Sequence, residues 1–165
     1  MLNNKNRGMF LESVINKTIS WLWQNNIAFI EKKSLSIVFK GVEKDYKKSR
    51  LLDAKVTRKS TVDYIGCYNG KFICFEAKSV NIDRFSLDNI KKHQFEYLKS
   101  IHLNGGISFL ILFFSHYNEF YFVDINYLDY IYNNSNIKSI NYQEIKNNSR
   151  ELTLEFPGIL NILSF

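Results

Sequence analysis

The dipeptide Asn69-Gly70 lies between two β-rich runs, "STVDYIGCY" (Ser60–Tyr68) and "KFICFEAK" (Lys71–Lys78). A two-residue type I′ turn needs positive φ at both central positions, and Asn-Gly supplies it at little steric cost. With these residues as the loop, Tyr68 faces Lys71 and the register of the hairpin follows. Asp63 then falls opposite Glu76, and Thr61 opposite Lys78. Side chains alternate faces along a strand, so Glu76 and Lys78 project to one side with Asp63 and Thr61. Ile73, Phe75 and Ala77 take the other side as core.

Like charges directly opposite each other destabilise a ribbon, with Cβ atoms only about 5 Å apart. A divalent cation between the carboxylates removes the conflict, and Mg²⁺ takes carboxylate oxygens while keeping several waters. Lys78 then stands beside the metal, where an ammonium stabilises a developing anion or positions a water. A solvated face of an edge hairpin is the alternative reading of such a trio. The register that gathers all three favours the metal.

The chain has 165 residues, 45% of them hydrophobic, which suits one domain with a proper core. Net charge is +6 and unevenly spread. Residues 1–60 hold thirteen Lys/Arg against five Asp/Glu, and the remainder holds nine against eleven. A positive field concentrated ahead of the hairpin points to a polyanion, with nucleic acid first and anionic membrane second. Cys67 and Cys74 are not at paired positions and fall on opposite faces, so no disulfide is expected. His93, His102 and His116 are scattered, and two cysteines without a Cys/His cluster make no zinc motif. The start of the chain is polar and no run reaches the roughly 18 apolar residues of a membrane span. These features read as a reducing, cytoplasmic location and no membrane partner.

Apolar residues at three- and four-residue steps predict a helix from Met9 to about Asn25. Ile27–Glu31 and Leu35–Phe39 read as strands. Residues 41–59, "GVEKDYKKSRLLDAKVTRK", carry a dense basic run and form either a solvated connector or a cationic arm on phosphate. Ser86 is a candidate N-cap for a helix from Leu87 to about Leu103, stopped by Gly105-Gly106. Gln94 lies on its apolar stripe and is either a satisfied core amide or an active-site ligand. Ile107–Phe114 and Glu119–Val123 read as strands, the first buried on both faces. Ile125–Tyr132 reads as a short helix. The order gives an α/β sandwich around a mixed sheet.

Asp63, then Glu76-x-Lys78 across a hairpin and a following helix, resembles the PD-(D/E)xK nucleases of restriction-endonuclease-like fold. Flanking blocks sharpen this. "NRGMFLESVIN" (6–16), "KSTVDYIGCYNGKFICFEAKS" (59–79), "FSLDNIKKHQFEYL" (85–98) and "GGISFLILFF" (105–114) are similar to the corresponding blocks of RecU-type Holliday junction resolvases. "KSINYQEI" (138–145) resembles a weaker fifth block. Lys59 departs from the family's usual proline, and "KKSLSIVFK" replaces a proline-containing strand.

The resemblance implies a single nuclease domain over 1–165: a mixed β-sheet flanked by helices, with a protruding basic stalk at about 41–59. It implies a Mg²⁺-dependent homodimer that nicks four-way DNA junctions symmetrically in recombination and repair, with recombination proteins as further partners. Metal positions of the family fall on Thr61, Asp63, Glu76 and Gln94. Asp63, Glu76 and Lys78 are the catalytic set, Lys78 stabilising the transition state. Arg7, Lys47, Lys48, Arg50, Arg58 and Lys59 are the candidate DNA contacts. Glu12 lies near the metal or makes a surface ion pair. A PD-(D/E)xK endonuclease with another DNA target and a non-catalytic DNA-binding subunit of the same fold are the alternatives.

Overall fold

Asn69 and Gly70 both adopt positive φ, 48° and 74°, and the ribbon that they close pairs Tyr68 with Lys71 through to Tyr64 with Phe75. The register expected from the turn is thus the one formed. The computed structural model describes residues 4–45, 48–58, 61–134 and 137–164.

The chain opens with a helix, α1 (Asn4–Gln24), and a strand, β1 (Phe29–Lys32). Four short strands follow: β2 (Ser36–Val38), β3 (Gly41–Asp45), β4 (Lys48–Leu52) and β5 (Lys55–Arg58). The hairpin is β6 (Tyr64–Tyr68) and β7 (Lys71–Val80). Beyond it come β8 (Arg84–Ser86), a 3-10 turn (Leu87–Asn89), α2 (Lys92–Leu103), β9 (Ile107–Phe114) and β10 (Glu119–Asp124). The last part holds α3 (Ile125–Tyr132), β11 (Ser139–Asn141), α4 (Tyr142–Asn148), β12 (Arg150–Leu152), β13 (Leu154–Glu155) and β14 (Ile159–Leu160).

Six strands form one mixed sheet in the order β1-β6-β7-β9-β10-β12. Only β7 and β9 run parallel, and α2 is the crossover between them. That crossover explains why β9 is almost wholly apolar, since a strand beneath helices on both sides has no solvent face. On one face α1 packs Leu11, Val14, Ile15 and Leu22 against Ile73, Phe75, Phe109 and Ile111. Tyr64, Phe75 and Phe109 stack there at centroid spacings of 4.7 and 4.9 Å. On the other face α2, α3 and α4 bury Phe95, Leu98, Leu128 and Ile145 over Cys74, Leu110 and Leu112. This is a restriction-endonuclease-like architecture, a mixed sheet with helices on both faces.

The helix expected from Leu87 starts later. Leu87 and Ile90 both turn into the α2-side core, and Ile90 is extended at φ −101°, ψ 115°. The backbone leaves the helical path there, and α2 begins at Lys92. Ser86 makes no side-chain cap. The first helix, by contrast, starts at Asn4 rather than Met9, because its first turn is polar and invisible to apolar periodicity.

The described residues between 34 and 58 form a two-stage ribbon outside the main sheet, β2 pairing with β5 and β3 with β4. Among its described side chains all but Gly41 are exposed. Its charge is more mixed than the basic run suggested. Glu43 pairs in register with Arg50 and Asp45 with Lys48, and Lys40 forms an ion pair with Asp53 at 3.3 Å. It also exposes Ile37, Val38, Phe39, Val42, Leu51, Leu52 and Val56, an apolar load that a mere solvated connector would not carry.

Candidate active site

The hairpin ladder ends at Tyr64–Phe75, and the next pair is where side chains replace backbone. The main-chain carbonyl of Asp63 still accepts from the Lys33 amide of the β1 side, at 2.7 Å. Its N–H, however, donates to Glu76 Oε2 at 3.0 Å. Asp63 Oδ2 in turn accepts from the Ala77 N–H at 3.3 Å. Glu76 therefore holds the Asp63 backbone and Asp63 holds that of Ala77, the residue after Glu76, which keeps the two carboxylates close across the strand edge.

Glu76 is fully buried. Its Oε1 accepts from Lys78 Nζ at 2.6 Å and from Gln94 Nε2 at 2.7 Å. Lys78 is about a quarter exposed, at 26%, so its ammonium reaches the surface from an anchored base. Burial first, and then the Asp63 charge, push the Glu76 carboxyl up to about 7, against the pull of Lys78. An acid held that far above its ordinary range wants another positive charge beside it.

Strict alternation of faces stops at Tyr64. Val62 swings into the α2-side core, and Thr61 and Asp63 separate. Thr61 Oγ1 accepts from Lys33 Nζ at 2.6 Å, and that ammonium lies 5.5 Å over the Tyr97 ring. Asp63 instead lines a pocket of about 230 Å³ on the α1 side, with Gly8, Glu12, Lys32, Ala77 and Ser79. The sequence expectation that all four residues share one face is thus corrected for Asp63, which bridges the edge between faces, while Thr61 meets Lys33 beside the Tyr97 ring on the α2 side. Glu12 forms an ion pair with Lys32 at 2.5 Å at the mouth of that pocket.

Gln94 belongs to the site. It is the third residue of α2, and its Oε1 accepts from the Lys91 N–H at 3.0 Å while its amide nitrogen reaches Glu76. Both sequence alternatives for it, a backbone-bonded amide and an active-site contact, are realised at once. Lys33 and Tyr97 were not foreseen, because only the tertiary approach of β1 and α2 brings them to Thr61.

The arrangement fits a hard cation. Among the described residues no three His, Cys, Asp or Glu side chains converge as a metal cluster. Two carboxylates side by side are oxygen donors of the kind that a hard divalent cation takes. Of the candidate DNA contacts, Lys48 and Arg50 stand exposed on β4. Arg7 lies in α1 next to Gly8 of the pocket, and Arg58 ends β5. The side chains of Arg7 and Arg58 are outside the described residues, as are Lys47 and Lys59 altogether.

Residues 6–165 match the model of a family described as Recombination protein U. The chain is 43% identical over 159 residues to the Holliday junction resolvase RecU of Mycoplasmopsis pulmonis, spanning 96% of this chain and 92% of that protein. It is 38% identical over 160 residues to the same-named protein of Ureaplasma parvum, spanning 97% and 91%. The Bacillus cytotoxicus protein of that name is 33% identical over 171 residues, spanning 97% and 86%.

The raised Glu76 carboxyl makes a stability prediction for the metal-free protein. The folded state holds this proton more tightly than the unfolded chain, so its contribution is fully present below pH 4.5 and is lost as pH rises to about 7. Thermal melting in chelator should show the wild type losing stability relative to Glu76→Gln across that window. Parallel pH profiles for the two proteins would contradict the strained carboxylate pair.

Proposed function

The chain belongs to the Recombination protein U family, and we propose that it is a Mg²⁺-dependent endodeoxyribonuclease that resolves four-way DNA junctions by symmetric nicking. The observation that carries this reading is the Asp63–Glu76 pair, held backbone to carboxylate beside the Lys78 ammonium. The match of nearly the whole chain to proteins named Holliday junction resolvase supplies the substrate class.

Asp63 and Glu76 supply the carboxylate oxygens for the metal, and Thr61 and Gln94 border the same space. When bound, Mg²⁺ supplies charge neutralisation at the scissile phosphate and an activated water. The chain's own residues prepare for this. The Asp63 and Ala77 amides fix the two carboxylates before substrate arrives, so no reorganisation is needed at the moment of reaction. Lys78 has three ammonium donors and gives one to Glu76. The others serve the anionic phosphate as charge accumulates on it. No nucleophilic side chain is required.

The positive first third of the chain draws in the DNA. The ribbon 34–58 is the stalk, and its exposed apolar residues support a homodimer in which a second copy covers them. Two copies related by a twofold axis present two active sites to a junction of matching symmetry, which is how symmetric nicks arise. Cytoplasmic DNA is the natural substrate pool, and both cysteines are free thiols. Among the described residues no helix is long and apolar enough to cross a membrane.

Two outcomes test this. Asp63→Asn and Glu76→Gln should each cut a synthetic junction at least about 100-fold more slowly, since each removes a charge-neutralising ligand worth several kcal/mol in the transition state. Junction binding in gel shifts should be retained or tightened, because repulsion against phosphate is also removed. Near wild-type cutting by either variant would show that the metal lies elsewhere.

Neutralising Lys47, Lys48 and Arg50 should weaken junction binding more than duplex binding. It should also flatten the dependence of log K on log salt, by up to roughly 0.9 for each phosphate no longer neutralised. Equal weakening on both substrates would remove the junction-specific role of the stalk. Sedimentation of the wild type checks the dimer, and a monomer at every concentration would refute it.

A further inference from the structure

The 3-10 turn Leu87–Asn89 decides which way the residues ahead of α2 point. Leu87 and Ile90 enter the α2-side core, so Lys91 and Lys92 are turned outward, and both are exposed. The β8–β11 ladder brings a second segment alongside, where the Leu87 N–H donates to the Lys138 carbonyl at 3.0 Å. Lys138 is exposed as well. Between the two segments lies a pocket of about 640 Å³ with all three lysines in its lining. Tyr132, stacked on Phe95 at 4.1 Å, forms part of the wall.

This collection of charge stands out from its surroundings. Residues 61–165 hold nine Lys/Arg against eleven Asp/Glu, and three of the nine meet in this pocket. Others are engaged elsewhere: Lys78 with Glu76, Lys99 with Asp129, Lys146 with Glu119, and Arg150 over the Phe122 ring. Among the described residues the lining holds one acid, Asp88. Lys91 Nζ donates to the Asp88 main-chain carbonyl at 3.3 Å rather than to its carboxylate. Lys92 reaches Glu96 at 3.7 Å with both side chains largely in water, a contact worth little. Lys138 is in no ion pair among the described residues.

The three cations stand at the rim, while Leu87 and Ile90 underlie the pocket. A small anion drawn inside would meet apolar side chains. A polyanion passing across the rim would meet three ammonium groups, and each phosphate neutralised releases counterions. The rim is also close to the site of cutting. Gln94 accepts from the Lys91 N–H at 3.0 Å and donates to Glu76 at 2.7 Å, so two hydrogen bonds link the pocket's edge to the acid pair.

We propose that this pocket grips the phosphate backbone of a DNA arm leading away from the scissile phosphate, with Lys91, Lys92 and Lys138 as its contacts. The inference rests on the nuclease reading above. It adds a DNA surface built by the approach to α2 and by the segment entering β11, separate from the stalk. A duplex arm carries the same backbone in a junction and in linear DNA, so this grip supplies affinity without junction selectivity.

The test replaces Lys92 and Lys138 together by Gln, and in a second protein by Arg. Lys91 is left in place because its main chain meets Gln94. Melting curves confirm folding. Affinities for a labelled four-way junction and for a linear duplex of matched sequence are measured in Ca²⁺ across a salt series, and kcat and KM on the junction in Mg²⁺. The Gln variant should bind both DNAs about 10-fold or more weakly at low salt, by factors that agree within about twofold, and its slope of log K against log salt should flatten by up to roughly 1.8 for two phosphates. The Arg variant keeps both charges and should stay within about twofold of the wild type. In the Gln variant the junction KM should rise by a larger factor than kcat falls, as when binding shared by ground and transition states is lost.

Unchanged affinity and salt slope in the Gln variant would overturn the proposal, leaving three solvated lysines. A loss confined to the junction would overturn it too, as would an equal loss in the Arg variant. A wild type that neither binds nor cuts DNA would refute the nuclease reading and this inference with it, before any variant is compared.

Discussion

Glu76 is fully buried on a central strand, yet it faces a second carboxylate across the end of the hairpin. An ion removed from water costs several kcal/mol even after relaxation, and a like charge nearby adds to that. The groups that offset the cost come from three directions. Lys78 stands two residues along on β7, Gln94 arrives on α2, and the Asp63 amide comes from the segment entering β6. Each contact depends on a different part of the topology. The hairpin register sets Asp63 against Glu76, the parallel β7–β9 crossover brings α2 over them, and the β1 pairing holds the Asp63 carbonyl through Lys33. The fold thus concentrates negative charge at one point, with Asp63 lining a pocket of about 230 Å³ beside it.

The same strand serves two cores. Ile73 and Phe75 lock β7 to α1, and Cys74 packs toward α2. Stacked rings at Tyr64, Phe75 and Phe109 anchor the α1 face directly behind the acids. A site built on central, doubly covered strands keeps its geometry better than one on loops. The stalk follows the opposite design. Among the described residues it shares no strand with the main sheet, exposes apolar surface, and sets Arg50 opposite Glu43 and Lys48 opposite Asp45 along the backbone ladder. Under the proposed function, that surface would meet a second copy and DNA.

Much of this was legible in the sequence because it depends on local rules. Asn69-Gly70 fixed the turn, the turn fixed the register, and the register opposed Asp63 to Glu76. The unbroken apolar run 107–114 announced a central strand, and Ile125–Tyr132 forms the helix that its pattern implied. The departures arise where tertiary packing overrides local pattern. Leu87 and Ile90 carry helical spacing but bury separately, which delays α2 until Lys92. Val62 breaks alternation to fill the α2-side core, which sends Asp63 to the edge and brings Thr61 to Lys33 near the Tyr97 ring. The acids within the basic run 41–59 could be counted in advance, but their pairing with Arg50 and Lys48 needed the β3–β4 register.

The proposed role of the Asp63–Glu76 pair is to cut four-way DNA once Mg²⁺ neutralises it. Its most direct test incubates the wild-type protein with a labelled synthetic four-way junction and with a linear duplex of matched sequence, in Mg²⁺, in Ca²⁺ and in chelator. Paired nicks in opposing strands of the junction are expected in Mg²⁺, with far slower cutting of the duplex. Ca²⁺ should allow binding without turnover, being larger and looser in its coordination, and chelator should abolish cutting. Cutting that persists in chelator, or equal cutting of junction and duplex in Mg²⁺, would contradict it.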